Sequence, residues 1–450
     1  MFRKLLVANR GEIACRVIRS ARKLGVETVA IYSDADEKAL HRYFADEAYR
    51  VGEGPSLKSY LNVEAILDVA RKTGAGAIHP GYGFLSENAD FARRVRDSGL
   101  VWVGPSPEVI TLMGDKVRAR ETMSAAGVPV VPGTLSPVAP EQARAEADRI
   151  GFPVLIKAVG GGGGIGMQVA EGPEQLVKLV EAASERARRA FCNGAVYLER
   201  YLERPRHVEV QVFGELDGTA HHIFERECSV QRRHQKVIEE SPSPLFVDGL
   251  NADVRRQLLE AAREAARAVG YVNAGTCEFL VDQKMGFYFL EMNTRLQVEH
   301  PVTEMTTGLD LVEMQLRVAA GQPSGMDAEA LEQRGSAIEC RIYAEDPAKK
   351  FMPSPGLIEM LAFPEGEGVR VDSGVQGGYT VSPFYDPMVA KISAWGTTRA
   401  QALERIRGAL EVTRIKGIKT NIAMHLKILA SDAFQRGELD TGALERGAFG

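Results

Sequence analysis

No two cysteines in this chain are spaced as CxxC. The five (Cys15, Cys192, Cys228, Cys277 and Cys340) are scattered, which argues against a zinc module or a disulfide framework and fits a reducing compartment. An uninterrupted apolar run of about 18 residues is also missing, so no membrane span is expected. The first residues carry Arg3, Lys4, Arg10 and Glu12 where a signal peptide would be apolar, and a cytoplasmic location is the expectation. Charge of one sign is scarce as well: 55 Lys+Arg against 60 Asp+Glu leaves −5, too little to draw the chain onto nucleic acid or acidic lipid. No internal repeat is visible. Glycine, by contrast, is plentiful: 45 of 450 residues against a usual ~7%. A chain this long suggests about three domains and can bury most of its apolar surface unaided.

Lys4-Leu-Leu-Val-Ala8 reads as a buried strand, Ile13, Val17, Ile18, Ala21 and Leu24 as a helical stripe, and Thr28–Tyr32 as a second strand. Strands at 77–79 and 101–103 alternate with helices at 63–73 and 88–99, which predicts a doubly wound α/β lobe over the first ~110 residues. A Pro-rich passage, 127–140, reads as a linker. It leads into a small lobe on two connections, with a helix at 141–150, strands at 154–157 and 166–169, and a glycine run between them.

That run, Gly160-Gly-Gly-Gly-Gly164-Ile-Gly166, satisfies GxGxxG at Gly161, Gly163 and Gly166. A dinucleotide fingerprint must open a helix, and here a strand follows. The run instead reads as a hairpin tip whose bare N–H groups fold over phosphates. Lys157 and Lys116 stand where phosphate contacts would be useful. Segments 275–281 and 286–293 read as a β-hairpin. Alternation puts Tyr288, Leu290 and Met292 on one face, and Phe287, Phe289, Glu291, Asn293, Arg295, Gln297 and Glu299 on the other if the strand persists. Glu278 could meet Glu291 across the hairpin, and with Asn293 forms a hard-oxygen set suited to Mg²⁺ on phosphates. Arg232, Arg233, His234 and Lys236 form a short cationic cluster fit for a small anion.

Together the motifs resemble the biotin carboxylases of the ATP-grasp superfamily. They run in order through Ala8–Ala14, His79–Asn88, Met113–Lys116, the glycine run, Pro205–Glu209, Gln231–Lys236, Glu291–Pro301 and Glu339–Arg341. The resemblance implies a mixed α/β and α+β chain. It would comprise a Rossmann-like lobe (1–113), an ATP-grasp core (114–310) with a mobile glycine-loop lid (about 132–202), and a biotin carboxylase C-terminal domain (334–441). It implies ATP held by Lys116, Lys157, His234 and the loop glycines Gly162, Gly163 and Gly164, and adenine against Met167, Leu280 and Leu290. Further contacts are implied at Glu199, Arg200, Leu202, His207 and Gln231. Glu278, Glu291 and Asn293 would bind Mg²⁺ or Mn²⁺, two ions in all. Bicarbonate would lie among Lys236, Arg295, Gln297 and Val298, with Glu299 as base and Arg341 stabilising the biotin enolate. The implied reaction phosphorylates bicarbonate to carboxyphosphate and then carboxylates N1′ of biotin.

No Met-Lys-Met biotinylation sequence occurs, so the implied biotin rides on a separate carrier protein or domain, with a carboxyltransferase as further partner. A homodimer is also implied, with Arg16, Arg19 and Phe363 at its contact. The chain departs from the family at Ile165, where many relatives place a cation. Two other readings are another bicarbonate-phosphorylating ATP-grasp ligase and a silent nucleotide-binding subunit. The second predicts missing metal or base residues, and these are present.

Overall fold

The computed structural model describes residues 1–134, 136–159, 167–191 and 193–450. Five parallel strands form the amino-terminal sheet in the order Glu47–Gly52, Glu27–Ser33, Lys4–Val7, Ala77–His79 and Val101–Trp102. In Lys4–Val7, Leu5 and Val7 join one hydrophobic core while Leu6 joins another on the opposite face. Burial on both faces explains its unbroken apolar run.

The largest sheet has eight strands, all antiparallel. Its order is Phe287–Asn293, Asn273–Val281, Arg206–Gly214, Ala220–Arg232, Gln235–Ser241, Ser336–Tyr343, Met388–Gly396 and Val369–Ser373. It crosses from the middle of the chain into the carboxyl-terminal third through the pair Ile238↔Cys340. This long-range pairing was not foreseen from local patterns, because strand partners so far apart in sequence leave no periodic trace.

A separate three-stranded sheet, Gln168–Ala170, Val154–Ala158 and Val196–Arg200, carries the helices Pro140–Ile150 and Pro173–Phe191. Its core, including Val154, Ile156, Leu176, Val180 and Leu198, is its own, as expected of a lobe on two connections. The passage before it is less free than a linker. The Pro129 carbonyl accepts from the Phe289 N–H at 2.7 Å, Val130 pairs with Phe289 and Gly133 with Glu199, so this stretch is stitched to both sheets.

The hairpin departs from simple alternation. Glu278 opposes Glu291 but Phe279 opposes Phe289, so Leu290 is the extra residue of a β-bulge. Phe289 and Met292 consequently enter the same core, which corrects the expectation that Met292 shares a face with Tyr288 and Leu290. The strand also stops at Asn293, and Glu299 immediately precedes the helix His300–Thr307 rather than extending a strand.

Candidate functional site

A cavity of about 600 Å³ opens where the eight-stranded sheet meets the amino-terminal lobe. Among its walls are His207, His234, Lys236, Glu278, Glu291, Asn293, Arg295, Gln297, Val298 and Arg341. Three neighbouring strands supply four of them. Asn273–Val281 brings Glu278, Phe287–Asn293 brings Glu291 and Asn293, and Arg206–Gly214 brings His207. Glu278 is in register with both Glu291 and Glu209, so three carboxylates line up across the sheet.

The Lys236 ammonium gathers the cluster. It donates to Glu209 at 2.5 Å, Glu278 at 2.7 Å and Glu299 at 2.8 Å. Burial would lower its proton affinity, but Glu209, Glu278 and Glu299 outweigh that and hold it well above the ordinary lysine value. Burial likewise works against ionised Glu299, yet Lys236, Arg341 and Arg226 keep its carboxyl well below the usual carboxylate range. Glu299 is therefore ionised at neutral pH and fixed between two cations, since Arg341 Nη2 donates to its other oxygen at 3.0 Å and Nε to Glu239 at 2.6 Å.

Glu278 accepts further hydrogen bonds from Asn293 and Gln297, both 2.9 Å. His207 Nε2 lies 3.0 Å from it without hydrogen-bond alignment, while His207 Nδ1 accepts from Gln231 at 2.8 Å. Arg295 donates to Asn293 Oδ1 at 2.8 Å and to Glu87 at 2.9 Å.

Glu291 is the carboxylate left over. Its nearest cation is Lys116 at 3.9 Å. Burial within the cleft and the facing Glu278 charge raise its carboxyl. With the side chain still 41% accessible, the neighbouring charge is the better-founded cause. Glu291 without a close cation, facing a second carboxylate and beside the Asn293 amide oxygen, fits a hard divalent cation. Among the described residues, His207, Glu209 and Glu278 also bring ligand atoms within 4.8 Å of one another, but the Lys236 ammonium already occupies the acceptors of both glutamates. The Glu291 side of Glu278 is the better fit.

Lys116, Leu290, Glu291 and Asn293 line an adjoining cavity of about 200 Å³. Lys157 and Glu199 sit on paired strands of the three-stranded sheet and bond at 2.8 Å. Arg200 exposes its side chain and donates to the Ile150 carbonyl at 3.0 Å, and Leu280 lies between His207 and Tyr288 in the ladder. Met167 and Leu202 flank the lid strands Gln168–Ala170 and Val196–Arg200. Gly162, Gly163, Gly164 and Ile165 lie outside the described residues.

Several participants escaped the sequence reading. Arg120 pairs with Glu199 and donates to the Val131 carbonyl at 2.9 Å; its signal was its place one helical turn after Lys116. Glu209 stands two residues from His207 on one strand face, a period-two cue. Arg226, fully buried and bonded to Glu209 at 2.5 Å, gave no local cue at all.

Comparison with known proteins covers the whole chain. Residues 1–110 match the family described as biotin carboxylase, N-terminal domain. Residues 115–325 match carbamoyl-phosphate synthase L chain, ATP binding domain, and residues 339–446 match biotin carboxylase C-terminal domain. Biotin carboxylase 2 of Bacillus subtilis is 52% identical over 99% of this chain and 100% of its own length. The biotin carboxylase of Haemophilus influenzae is 52% identical over 99% of this chain and 99% of its own. Among solved structures, the biotin carboxylase domain dimer of Hydrogenobacter thermophilus 2-oxoglutarate carboxylase, in complex with MgADP, ADP and bicarbonate, superposes with a TM-score of 0.93 at 47% identity, covering 100% of this chain and 99% of that one. A Campylobacter jejuni biotin carboxylase complexed with β-γ-ATP gives 0.94 at 44%, covering 99% of each.

Proposed function

The chain belongs to the biotin carboxylase family, and from that premise we propose that it is the ligase that carboxylates biotin N1′ with cleavage of ATP. Bicarbonate is the carbon source and carboxyphosphate the intermediate. The observation that carries the reading is the Lys236–Glu299–Arg341 arrangement, an ionised carboxylate held between two cations in a cavity also lined by Arg295, Gln297 and Val298.

In this reading the lid closes over ATP, with Lys116, Lys157 and His234 on the phosphates. A base that must act on bicarbonate has to be ionised and within reach of the anion, and Glu299 meets the first requirement through its neighbours. Lys236 and Arg295 draw the anion in, and Glu299 takes its proton as the bicarbonate oxygen attacks the γ-phosphorus and ADP leaves. Arg341, on the other side of Glu299, is positioned to hold the negative ureido oxygen of biotin as the carboxyl carbon parts from the phosphate, the departing phosphate takes the N1′ proton and N1′ takes the carboxyl group. Glu278, Glu291 and Asn293 would hold Mg²⁺ or Mn²⁺, which when bound offsets phosphate charge. Closure of the lid protects the labile carboxyphosphate from water.

The biotin is supplied by a separate carrier protein or domain and the product passes to a carboxyltransferase. The chain pairs with a second copy, as the H. thermophilus domain does. Arg16 and Arg19 share a surface recess with Arg370, which supports placing the pair contact there.

The test is phosphate release with ATP, Mg²⁺ and bicarbonate, with and without free biotin. Release is expected to rise with biotin, and Glu299→Gln to abolish the rise. Turnover indifferent to both biotin and bicarbonate would overturn the reading.

A further inference from the structure

Lys391 is fully buried and lies 50 residues or more from every site residue the motifs singled out. It sits on the strand Met388–Gly396 with Arg341 opposite on one side and Asp372 opposite on the other, so it extends the row of charges behind the cavity wall. Its ammonium lies 3.3 Å from Glu12 and donates to the Val298 main-chain carbonyl at 2.6 Å. A buried lysine is a demanding group to accommodate. An apolar residue would fill that space without needing a counter-charge, so the hydrogen bond it makes calls for an explanation.

The segment Gln297–Glu299 gives one. His300 Nδ1 lies 2.8 Å from the carbonyl of Gln297. Burial and then the nearby Lys391, Arg16 and Arg370 charges keep that imidazole neutral, so its ring proton goes to the carbonyl. Two successive carbonyls are thus each anchored, one by His300 and the next by Lys391. A planar trans peptide points its N–H opposite to its C=O, so the Val298 N–H is turned away from His300 and the Glu299 N–H away from Lys391. Val298 lines the cavity, and among the described residues neither N–H meets a hydrogen-bond acceptor. Adjacent free N–H groups form an anion-binding concavity.

We propose that Lys391 is a positioning residue for the anion: by anchoring the Val298 carbonyl it presents the loop's N–H groups, and the Glu299 side chain that follows them, to bicarbonate without touching it. This rests on the function proposed above. Lys391→Met removes the donor at similar length. Its KM for bicarbonate is expected to rise about tenfold, as for loss of one charge-assisted hydrogen bond, while KM for ATP and affinity for ADP stay near the parent's. Lys391→Gln, shorter but polar, is measured alongside in case the first variant does not fold, and the same split is expected of it. An unchanged bicarbonate KM in a folded variant, or parallel losses for bicarbonate and nucleotide, overturns the positioning role. A parent protein without bicarbonate-dependent ATP cleavage overturns the function instead, so the two failures are told apart.

Discussion

Glu291 and Glu299 are two glutamates eight positions apart whose neighbours place them in opposite electrostatic settings. Lys236 and Arg341 bracket Glu299, whereas Glu291 faces another carboxylate and only a distant Lys116. A group in the second situation gains most from a divalent cation. Glu291→Gln is therefore expected to raise the Mg²⁺ concentration for half-maximal phosphate release by about tenfold, with saturating Mg²⁺ restoring part of the rate. A Mg²⁺ titration checks this, and a superimposable curve would remove Glu291 from the metal set. Both residues were legible in sequence because each lies within one short motif. The resemblance implied different roles for them, but the physical cause was not legible, since it is set by Lys236 and Arg341, which stand 63 and 42 positions from Glu299.

At the scale of elements, the three-stranded sheet and its helices own a hydrophobic core that, among the described residues, no other part of the molecule shares. Such a unit opens and loosens independently. Leu176 is completely buried in it, and Leu176→Ala is expected to cost about 2–5 kcal/mol, confined to that lobe. Hydrogen exchange should show faster amide exchange in the strands Val154–Ala158 and Val196–Arg200, with the strand Met388–Gly396 unchanged. Uniform loss of protection would mean that the lid is not a separate cooperative unit. The separate lobe was readable from its Pro-rich approach and helix–strand alternation. The bulge at Leu290 was not, because an extra residue in one strand is defined only by the partner strand's register, and period-two reading assumes none.

For the whole molecule, three histidines buried far apart share one consequence. His41, His79 and His425 are each pushed down to about 4, by burial first. His79 illustrates why: its Nδ1 accepts from the Gly81 N–H at 2.9 Å, leaving Nε2–H for Gln315 at 3.2 Å, so the neutral ring is fully used. Unfolding releases each to an ordinary value of about 6.5. The stability they contribute is present above that pH and is lost as pH falls towards 4, of order 2 kcal/mol each by pH 5. Thermal midpoints measured at pH 7.5 and 5.0 should fall accordingly, and His425→Asn should show a smaller fall than the parent. A midpoint indifferent to acid across this window would show these imidazoles to be solvated.

Read alone, the chain determined the alternation of its first 110 residues, the glycine run between two strands, the oxygen-rich hairpin and the order of motifs that marks the family. These are short-range properties: periodicity, turn chemistry and spacing are written within a few residues of one another. Only the tertiary structure decided that one sheet joins the middle of the chain to its last third, that Met292 turns inward while Glu291 faces the cavity, and that Lys391 reaches the backbone of Val298. Each depends on pairing between segments distant in sequence. Such contacts follow from packing and from the electrostatics of charges brought together inside the fold, and no local pattern records them.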